Sequence, residues 1–169
     1  MRKNILYLDR DGVVNKHIPY VGSLDRFFWH NEIFEIVNFF YKENYDIKIV
    51  TNQSGIERGY FTFCDYTEIC KHILKEFNSK DINLEIRTCP HHPAKNCICR
   101  KPNTGMFLDK RSKNDIMIGD QDSDMLAARK AGIKNRWLIS KNIKSNNATK
   151  IFNSHNNLLN YLCLDYAKN

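Results

Sequence analysis

Two carboxylates stand at the end of the first apolar stretch of this chain. Residues 4–8 (NILYL) are typical of a short buried strand, and Asp9 and Asp11 follow it with one residue between them. Like charges at this spacing raise each other's pKa, and partial burial adds a desolvation cost. Such a pair usually needs a cation or a proton to hold it, so the sequence predicts a metal-dependent site here.

Strand-like and helix-like stretches alternate along the chain and would position this pair. The predicted strands are residues 4–8, 46–50, 84–88, 115–118 and 136–139; the predicted helices cover residues 33–40, 63–77 and 123–131, and a final packing helix contains Ile151, Phe152, Leu158, Leu159 and Leu162. This alternation predicts an α/β fold, with a Rossmann-type parallel sheet and helices on both of its faces.

Three polar residues that follow predicted strands come together if those strands are parallel. Asp9, Thr51 and Asp120 each lie just after a strand, and ligands of parallel sheets bind beyond the carboxyl ends of the strands. Each residue alone is common at a helix N-terminus, but the three together predict one site. Asp9, Asp11 and Asp120 are candidate oxygen ligands for Mg²⁺.

The neighbouring residue types suit phosphoryl transfer. Thr51 and Asn52 offer a hydroxyl, an amide and backbone N–H groups for phosphate oxygens, while Arg100 and Lys101 add positive charge. Phosphoryl transfer needs a metal ion, cationic donors around the equatorial oxygens and in-line attack. One aspartate can act as the nucleophile and form an aspartyl-phosphate, and a second can move the proton of the leaving oxygen.

A second candidate metal site contains three sulfurs and one imidazole. Its candidate ligands are Cys89, His91, Cys97 and Cys99, with His92 as an alternative to His91. Four such ligands close a tetrahedral zinc site, and a closed zinc site is structural. We expect a zinc loop at about residues 89–101 that aims Arg100 and Lys101 at the substrate.

Four segments of the chain resemble the motifs of the haloacid dehalogenase (HAD) phosphatase superfamily. They are D-R-D-G-V-V-N, T-N-Q-S-G, R-K-P and G-D-Q-D-S-D, and together they run from Asp9 to about Gly132. More narrowly, T-N-Q-S-G-I-E-R-G-Y-F and C-P-H-H-P…C-I-C-R-K-P resemble the D-glycero-D-manno-heptose-1,7-bisphosphate 7-phosphatases. The resemblance implies a Mg²⁺-dependent phosphatase that removes the C7 phosphate of this heptose, on the way to nucleotide-activated heptose for surface lipopolysaccharide.

The resemblance also implies roles for individual residues. Asp9 would be the nucleophile and Asp11 the general acid and base, while Thr51 and Lys101 would stabilise the transferring phosphoryl group. The implied Mg²⁺ ligands are Asp9, the backbone carbonyl of Asp11, and Asp120, supported by Asp124. The implied zinc ligands are Cys89, His91, Cys97 and Cys99. The implied substrate contacts are Tyr20, Asn52, Gln53, Ser54, Arg100 and Gln121, with Arg100 at the far end of the substrate.

Two departures from the family pattern lie on the substrate side. The loop after the first motif has Ile18 and Pro19 where the family usually has Asp and Gly, and Gln121 stands where a Lys often follows the metal-binding Asp. Both bear on the sugar and the anomer rather than on the chemistry. The nearest rival is a histidinol-phosphate phosphatase, which shares the fold, the aspartates and a similar zinc loop; S-G-I-E-R-G-Y-F favours the heptose group.

The charge balance agrees with a small anionic substrate. The chain has 26 Lys and Arg against 19 Asp and Glu, a formal net charge of +7. These basic residues are scattered, without the basic block of a nucleic-acid binder. A zinc-binding nucleic-acid module is the alternative of another class, and it would leave Asp9, Asp11 and Asp120 unexplained.

The remaining expectations concern organisation and location. We expect one domain of residues 1–169, because the intervals between the motifs leave no room for a large cap domain. The sequence has no pattern typical of a signal peptide or membrane span, so we expect a cytoplasmic protein with no membrane partner. We also expect a monomer with no nucleic-acid partner. In that compartment the cysteines are not expected to form disulfides.

Overall fold

The computed structural model describes residues 2–164 and Tyr166. The expected domain of residues 1–169 therefore includes five residues outside this description, Met1, Asp165 and residues 167–169. The elements are β1 (Ile5–Leu8), α1 (Ile33–Lys42), β2 (Asp46–Asn52), α2 (Phe63–Asn78), β3 (Leu84–Cys89), β4 (Ile116–Gly119), α3 (Asp122–Lys130), β5 (Asn135–Ile139), β6 (Lys150–Phe152) and α4 (His155–Leu164). Short 3-10 turns lie at Leu24–Arg26 and Pro93–Lys95.

The six strands form one parallel sheet in the order β3-β2-β1-β4-β5-β6. The predicted α/β fold is thus confirmed, and β1 lies between β2 and β4. Leu8 at the end of β1 is in register with Ile49 and Ile118 of its two neighbours. The carboxyl ends of the central strands therefore meet at one edge, where Asp9 N donates a hydrogen bond to Ile118 O at 2.9 Å.

The prediction of a final helix containing Ile151 and Phe152 was wrong. These residues form β6, which pairs with β5, and the final helix α4 begins only at His155. Phe152 packs into the core against Trp137, with ring centroids 5.8 Å apart. A strand of three residues at a sheet edge is too short to show the alternation of polar and apolar residues that marks a strand.

Helices cover both faces of the sheet. Leu6 and Leu8 of β1 pack on one face in a core shared with α1, α2 and α4, whereas Ile5 and Tyr7 face a second core shared with α3 and residues 106–107. This alternation follows from the two-residue period of a strand. All four β1 side chains are buried, so β1 fixes the position of Asp9 firmly.

Capping interactions fix where two helices begin beside the site. Thr62 and Asp65 form the capping box at the start of α2. Gln121 and Asp124 form another at the start of α3, and Gln121 N donates to the Asp124 carboxylate at 3.1 Å. The second box places Asp124 in the first turn of α3, beneath the edge where β1 ends.

Three long segments leave this same edge of the sheet. Residues 9–32 follow β1, residues 53–62 follow β2 and residues 90–115 follow β3. Within the described residues these segments contain only loops and the two 3-10 turns. No helix in the described part of the chain is long and apolar enough to cross a membrane.

Candidate active site

A cleft of about 370 Å³ opens at the carboxyl edge of the sheet. All but one of the residues that the sequence predicts for catalysis and substrate binding line this cleft. They are Asp9, Asp11, Tyr20, Asn52, Gln53, Ser54, Arg100, Lys101 and Gln121. The exception is Thr51, which is 1% exposed and lies beneath the cleft surface. Its hydroxyl accepts a hydrogen bond from Gln53 Nε2 at 2.8 Å.

A buried lysine links two of the carboxylates. Lys101 Nζ lies 2.6 Å from Asp9 Oδ1 and 2.7 Å from Asp124 Oδ1, and it also donates to Val50 O at 2.7 Å. Burial lowers the pKa of Lys101, but Asp124 and Asp9 outweigh burial and hold that pKa above its ordinary value. The ammonium therefore stays charged beside the Asp9 carboxylate.

The Asp11 carboxylate is held by donors on three sides. Arg10, fully buried, donates Nη2 to both carboxylate oxygens at 2.8 and 2.9 Å. Asn15 Nδ2 donates at 3.0 Å and Gln53 Nε2 at 2.7 Å. The Arg10 guanidinium also lies 5.8 Å from the centre of the Tyr66 ring. These contacts fix the orientation of Asp11 beside Asp9.

A glycine allows the first and fourth motifs to approach each other. Gly12 has φ +90°, and a Cβ atom at this position would overlap the Asp120 carboxylate. Asp120 Oδ2 accepts from Gln121 Nε2 at 2.9 Å and lies 3.2 Å from His17 Nδ1. Its other oxygen, Oδ1, is buried and has no hydrogen-bond partner among the described residues.

The donor set at this edge fits a divalent cation with oxygen ligands. Asp9, Asp120 and Asp124 offer carboxylate oxygens within 4.8 Å of one another. Both Asp124 oxygens accept hydrogen bonds, one from Lys101 and one from the backbone of Gln121, whereas Lys101 contacts only Oδ1 of Asp9. This leaves Asp9 Oδ2 and the unpartnered Asp120 Oδ1 as ligands. The Asp11 carboxylate is not in this group.

Burial disfavours the charged form of these carboxylates, which a bound cation would stabilise. It raises the pKa of Asp9 well above its usual range; Asp124 and Asp120 add to this effect, and Lys101 opposes it. Burial likewise raises the pKa of Asp120, with a further contribution from Asp124. A divalent cation between them would offset this repulsion and desolvation, so the residues present fit Mg²⁺.

The four candidate zinc ligands lie together at the end of β3. Cys89 Sγ is 3.5 Å from Cys97 Sγ and 3.6 Å from His91 Nδ1. Cys99 Sγ is 3.4 Å from Cys97 Sγ and 3.2 Å from His91 Nδ1. A tetrahedral site with Zn–S bonds of about 2.3 Å separates its sulfurs by about 3.8 Å, so these atoms need to open only slightly to hold zinc.

The alternative histidine is engaged elsewhere. His92 Nδ1 accepts a hydrogen bond from Ala94 N at 3.1 Å and caps the 3-10 turn, and its backbone N–H donates to Glu57. The cluster of candidate zinc ligands also borders Arg100, which follows Cys99 directly. Burial acts to raise the pKa of the Cys97 thiol, but the backbone N–H of Arg100 and the neighbouring thiols lower it to about 7.

Several site residues lie outside the set that the sequence singles out. Arg10 and Asn15 hold Asp11, and His17 contacts Asp120 from the loop after β1. Arg10 and Asn15 lie inside the quoted D-R-D-G-V-V-N motif, and a polar residue four positions after Asp11 is a signal for Asn15. His17 has no local signal, since its contact with Asp120 spans 103 positions in the chain.

Comparisons with known proteins agree on one group of enzymes. The family described as polynucleotide kinase 3 phosphatase matches residues 12–155. A D-glycero-alpha-D-manno-heptose-1,7-bisphosphate 7-phosphatase of Campylobacter jejuni is 39% identical over 168 residues, which cover 95% of this chain and 96% of the relative. A D-glycero-beta-D-manno-heptose-1,7-bisphosphate 7-phosphatase of Helicobacter pylori is 37% identical over 145 residues, 81% of this chain and 84% of the relative.

A solved structure has the same fold. The D,D-heptose 1.7-bisphosphate phosphatase from B. bronchiseptica, complexed with magnesium and phosphate, matches with a TM-score of 0.84 at 25% sequence identity. The match covers 95% of this chain and 98% of that one. The likeness therefore extends over nearly the full length of both chains.

Proposed function

We propose that this chain, which belongs to the polynucleotide kinase 3 phosphatase family, removes the C7 phosphate from D-glycero-D-manno-heptose 1,7-bisphosphate. Within the HAD-like phosphatases it belongs to the heptose-1,7-bisphosphate 7-phosphatases. It is a phosphoric monoester hydrolase of heptose metabolism. The observation that carries this proposal is the cleft in which Lys101 Nζ lies 2.6 Å from Asp9 Oδ1 while Arg100 lines the same space.

In the first step Asp9 is the nucleophile. A carboxylate oxygen of Asp9 attacks the phosphorus, the bond from phosphorus to the C7 oxygen breaks, and an aspartyl-phosphate forms. Asp11 gives a proton to the departing oxygen. Lys101 and Thr51 stabilise the charge that spreads over the phosphoryl oxygens in the transition state.

In the second step water completes the hydrolysis. Asp11, now a carboxylate, takes a proton from a water molecule that attacks the phosphorus, and the bond between phosphorus and Asp9 breaks. Inorganic phosphate leaves and both aspartates return to their starting state. The contacts of Asp11 with Arg10 and Gln53 support this role, because they hold one carboxyl group in place for both proton transfers.

Asp9, the backbone carbonyl of Asp11, and Asp120 hold Mg²⁺ in this proposal. The ion supplies charge neutralisation for the transferring phosphoryl group when it is bound. Asp124 acts through Lys101, which it keeps charged and directed towards Asp9. The unpartnered buried oxygen of Asp120 supports this assignment of ligands.

Zinc in the cluster of Cys89, His91, Cys97 and Cys99 would hold the zinc loop rather than take part in the reaction. Four protein ligands leave no open position for substrate or water. Arg100 follows Cys99 directly and lines the cleft, so a fixed cluster would hold the main chain from which its guanidinium extends towards the distal end of the substrate. A guanidinium there suits the C1 phosphate of a bisphosphate. Tyr20, Ser54 and Gln121 complete the substrate contacts.

We also propose that one catalytic domain, residues 1–169, acts as a cytoplasmic monomer. All residues assigned to the site come from one chain and one sheet edge, which supports a site complete within the monomer. The zinc cluster needs reduced thiols, which a reducing compartment maintains. The product would enter the synthesis of nucleotide-activated heptose for surface lipopolysaccharide.

Steady-state phosphate release tests the proposal. The substrates are the α and β anomers of the heptose 1,7-bisphosphate, histidinol phosphate, and an oligonucleotide with a 3′ phosphate. We expect kcat/KM for at least one heptose anomer to exceed that for the other two substrate classes by about a hundredfold or more. A preference for histidinol phosphate or for the oligonucleotide would refute the assignment of substrate while leaving the phosphatase chemistry intact.

A further inference from the structure

Residues 54–61 form a compact turn at the rim of the cleft. Arg58 N donates to Ser54 O at 3.0 Å, and Tyr60 N donates to Gly55 O at 2.9 Å. Ser54 and Gly55 line the cleft. Tyr60, at the far side of the turn, does not line the cleft and is 59% exposed. The proposed reaction therefore assigns no role to the Tyr60 ring.

The Tyr60 ring packs against Tyr20, which is the aromatic residue of the cleft lining. Their ring centroids are 4.5 Å apart and their planes meet at 65°, an edge-to-face arrangement. Within the described residues, Tyr60 is the only aromatic residue paired with Tyr20. Tyr20 remains 43% exposed, so its ring has surface left for a ligand.

The backbone of Tyr20 adopts a conformation that needs support from another part of the segment 9–32. Its φ is +53°, a region that residues with a side chain rarely adopt. Arg26 donates to the carbonyl oxygens of Pro19 at 3.0 Å and Tyr20 at 3.3 Å, which holds the main chain. The ring has its own support in Tyr60. Two separate contacts thus fix the loop and the ring of Tyr20.

We propose that Tyr60 is a positioning residue for substrate selection, which holds the Tyr20 ring at the cleft wall so that the C–H face of a sugar phosphate packs on it. This inference rests on the proposed function. A sugar presents polar hydroxyls at its edge and C–H groups on its faces, and an aromatic ring offers a large apolar surface to those groups. The reacting phosphate would lie at Asp9, which lines the same cleft as Tyr20.

A packing role in the fold alone would give a different pattern of effects. Neither Tyr20 nor Tyr60 belongs to the two buried cores of the described residues. Loss of the Tyr60 ring should therefore leave the thermal midpoint almost unchanged and alter KM for the sugar substrate. Phe63, 62% exposed at the start of α2, is a matched control, because it is an exposed aromatic residue three positions after Tyr60 that pairs with Tyr66 and not with Tyr20.

The experiment measures kcat and KM of the full chain with Mg²⁺ and Zn²⁺ bound. The variants are Tyr60→Ala, Tyr60→Phe, Phe63→Ala, Tyr20→Ala and the double variant Tyr20→Ala/Tyr60→Ala. The substrates are the heptose bisphosphate and acetyl phosphate, which has no sugar to pack on an aromatic ring. For the bisphosphate, we expect Tyr60→Ala to raise KM about tenfold with kcat within about twofold. Tyr60→Phe and Phe63→Ala should match the wild type.

Acetyl phosphate and the double variant distinguish a positioning role of Tyr60 from a general loss of activity. Tyr60→Ala should leave turnover of acetyl phosphate unchanged, and the double variant should lose no more than Tyr20→Ala alone. An unchanged KM in Tyr60→Ala, fully additive losses, or equal losses on acetyl phosphate would each overturn the inference. Wild-type turnover of acetyl phosphate without turnover of the bisphosphate refutes the proposed function, and with it this role of Tyr60.

Discussion

The side-chain amide of Asn52 forms two hydrogen bonds with the backbone of Lys101. Asn52 Nδ2 donates to Lys101 O at 3.1 Å, and Lys101 N donates to Asn52 Oδ1 at 3.0 Å. The two residues are 49 positions apart, at the end of β2 and at the end of the zinc loop. The contact therefore fixes the main chain of Lys101, from which the buried ammonium reaches Asp9.

Replacement of Asn52 by Ala should reduce both turnover and stability. Loss of two partly buried hydrogen bonds costs roughly 1–3 kcal/mol of unfolding free energy, and release of the Lys101 backbone should lower kcat about tenfold or more. Urea unfolding and steady-state kinetics measure the two effects. Asn156→Ala is the matched control, since its exposed amide donates only to Glu32 at 2.9 Å. Wild-type kcat in Asn52→Ala would contradict the role of this contact.

Asp9→Asn should abolish turnover and preserve the fold. The amide is nearly the same size as the carboxylate but cannot attack phosphorus, so we expect kcat to fall by at least about a thousandfold. Asp122→Asn is the control at the same sheet edge, because Asp122 binds Ser145 and Asn147 and does not line the cleft. Residual turnover within tenfold of wild type, about 1.4 kcal/mol of barrier, would place the nucleophile elsewhere.

The two metals should respond differently to chelation. EDTA should stop activity and added Mg²⁺ should restore it, while zinc stays bound, because thiolate ligands retain zinc far more tightly than oxygen ligands retain Mg²⁺. Elemental analysis before and after chelation measures both ions. Cys97→Ser should lower the zinc content and raise KM, whereas Cys64→Ser, at an exposed position of α2, should change neither. Freshly purified protein without zinc would remove the proposed structural site.

The stability of the protein should decrease as the pH falls from about 6.5 to about 4, because of a stacked histidine pair. The rings of His30 and His155 are 3.9 Å apart, and burial together with the neighbouring His155 lowers the pKa of His30 to about 4. In this range the unfolded chain binds a proton at His30, with its ordinary pKa of about 6.5, and the folded chain does not. The free energy of unfolding therefore falls as pH falls through this range.

Urea unfolding of His30→Phe measures this contribution. The variant keeps an aromatic ring on His155 but has no group that titrates, so its unfolding midpoint should fall less than that of the wild type between pH 7 and pH 4.5. His155, whose pKa burial also lowers, should retain a smaller slope of the same sign. Identical slopes in the variant and the wild type would exclude His30 as the cause.

The sequence predicts the sheet and the polar residues at its carboxyl edge because local patterns determine both. The buried run before Asp9 and the strand before Asp120 are continuous apolar stretches, and their alternation with helices confines the polar ends to one edge. The resemblance to the heptose bisphosphate phosphatases is confirmed by relatives that match almost the whole chain. These features need no knowledge of long-range contacts.

The features that the sequence does not predict depend on contacts between distant residues. His17 meets Asp120 across 103 positions, and nothing in the composition of the loop after β1 indicates that contact. Strand β6 exists because Ile151 pairs with Leu138 of β5, while its own three residues carry no pattern. The role of Asn52 likewise depends on a distant contact, because its amide meets the backbone of Lys101 only when β2 and the zinc loop lie side by side.

The two adjacent cations of the cleft, Arg100 and Lys101, differ in their surroundings. Lys101 is 3% exposed and its ammonium contacts Asp9 and Asp124, whereas Arg100 lines the cleft and its buried Nη1 has no hydrogen-bond partner among the described residues. We therefore expect Lys101 to serve the reacting phosphate and Arg100 the distal phosphate. Charge-assisted hydrogen bonds contribute roughly 1.5–3 kcal/mol, or about ten- to a hundredfold in kcat/KM.

Arg100→Ala should lower kcat/KM for the heptose 1,7-bisphosphate by about ten- to a hundredfold. The same change should hardly alter kcat/KM for the 7-monophosphate, which has no C1 phosphate to bind. Arg100→Lys should recover only part of the loss, because an ammonium keeps the charge but cannot bind two oxygens in parallel. Lys101→Ala should impair both substrates alike, since both present the same reacting phosphate to Asp9. Equal losses for Arg100→Ala on the two substrates would exclude a distal-phosphate role for Arg100 and remove the main structural reason for a bisphosphate substrate.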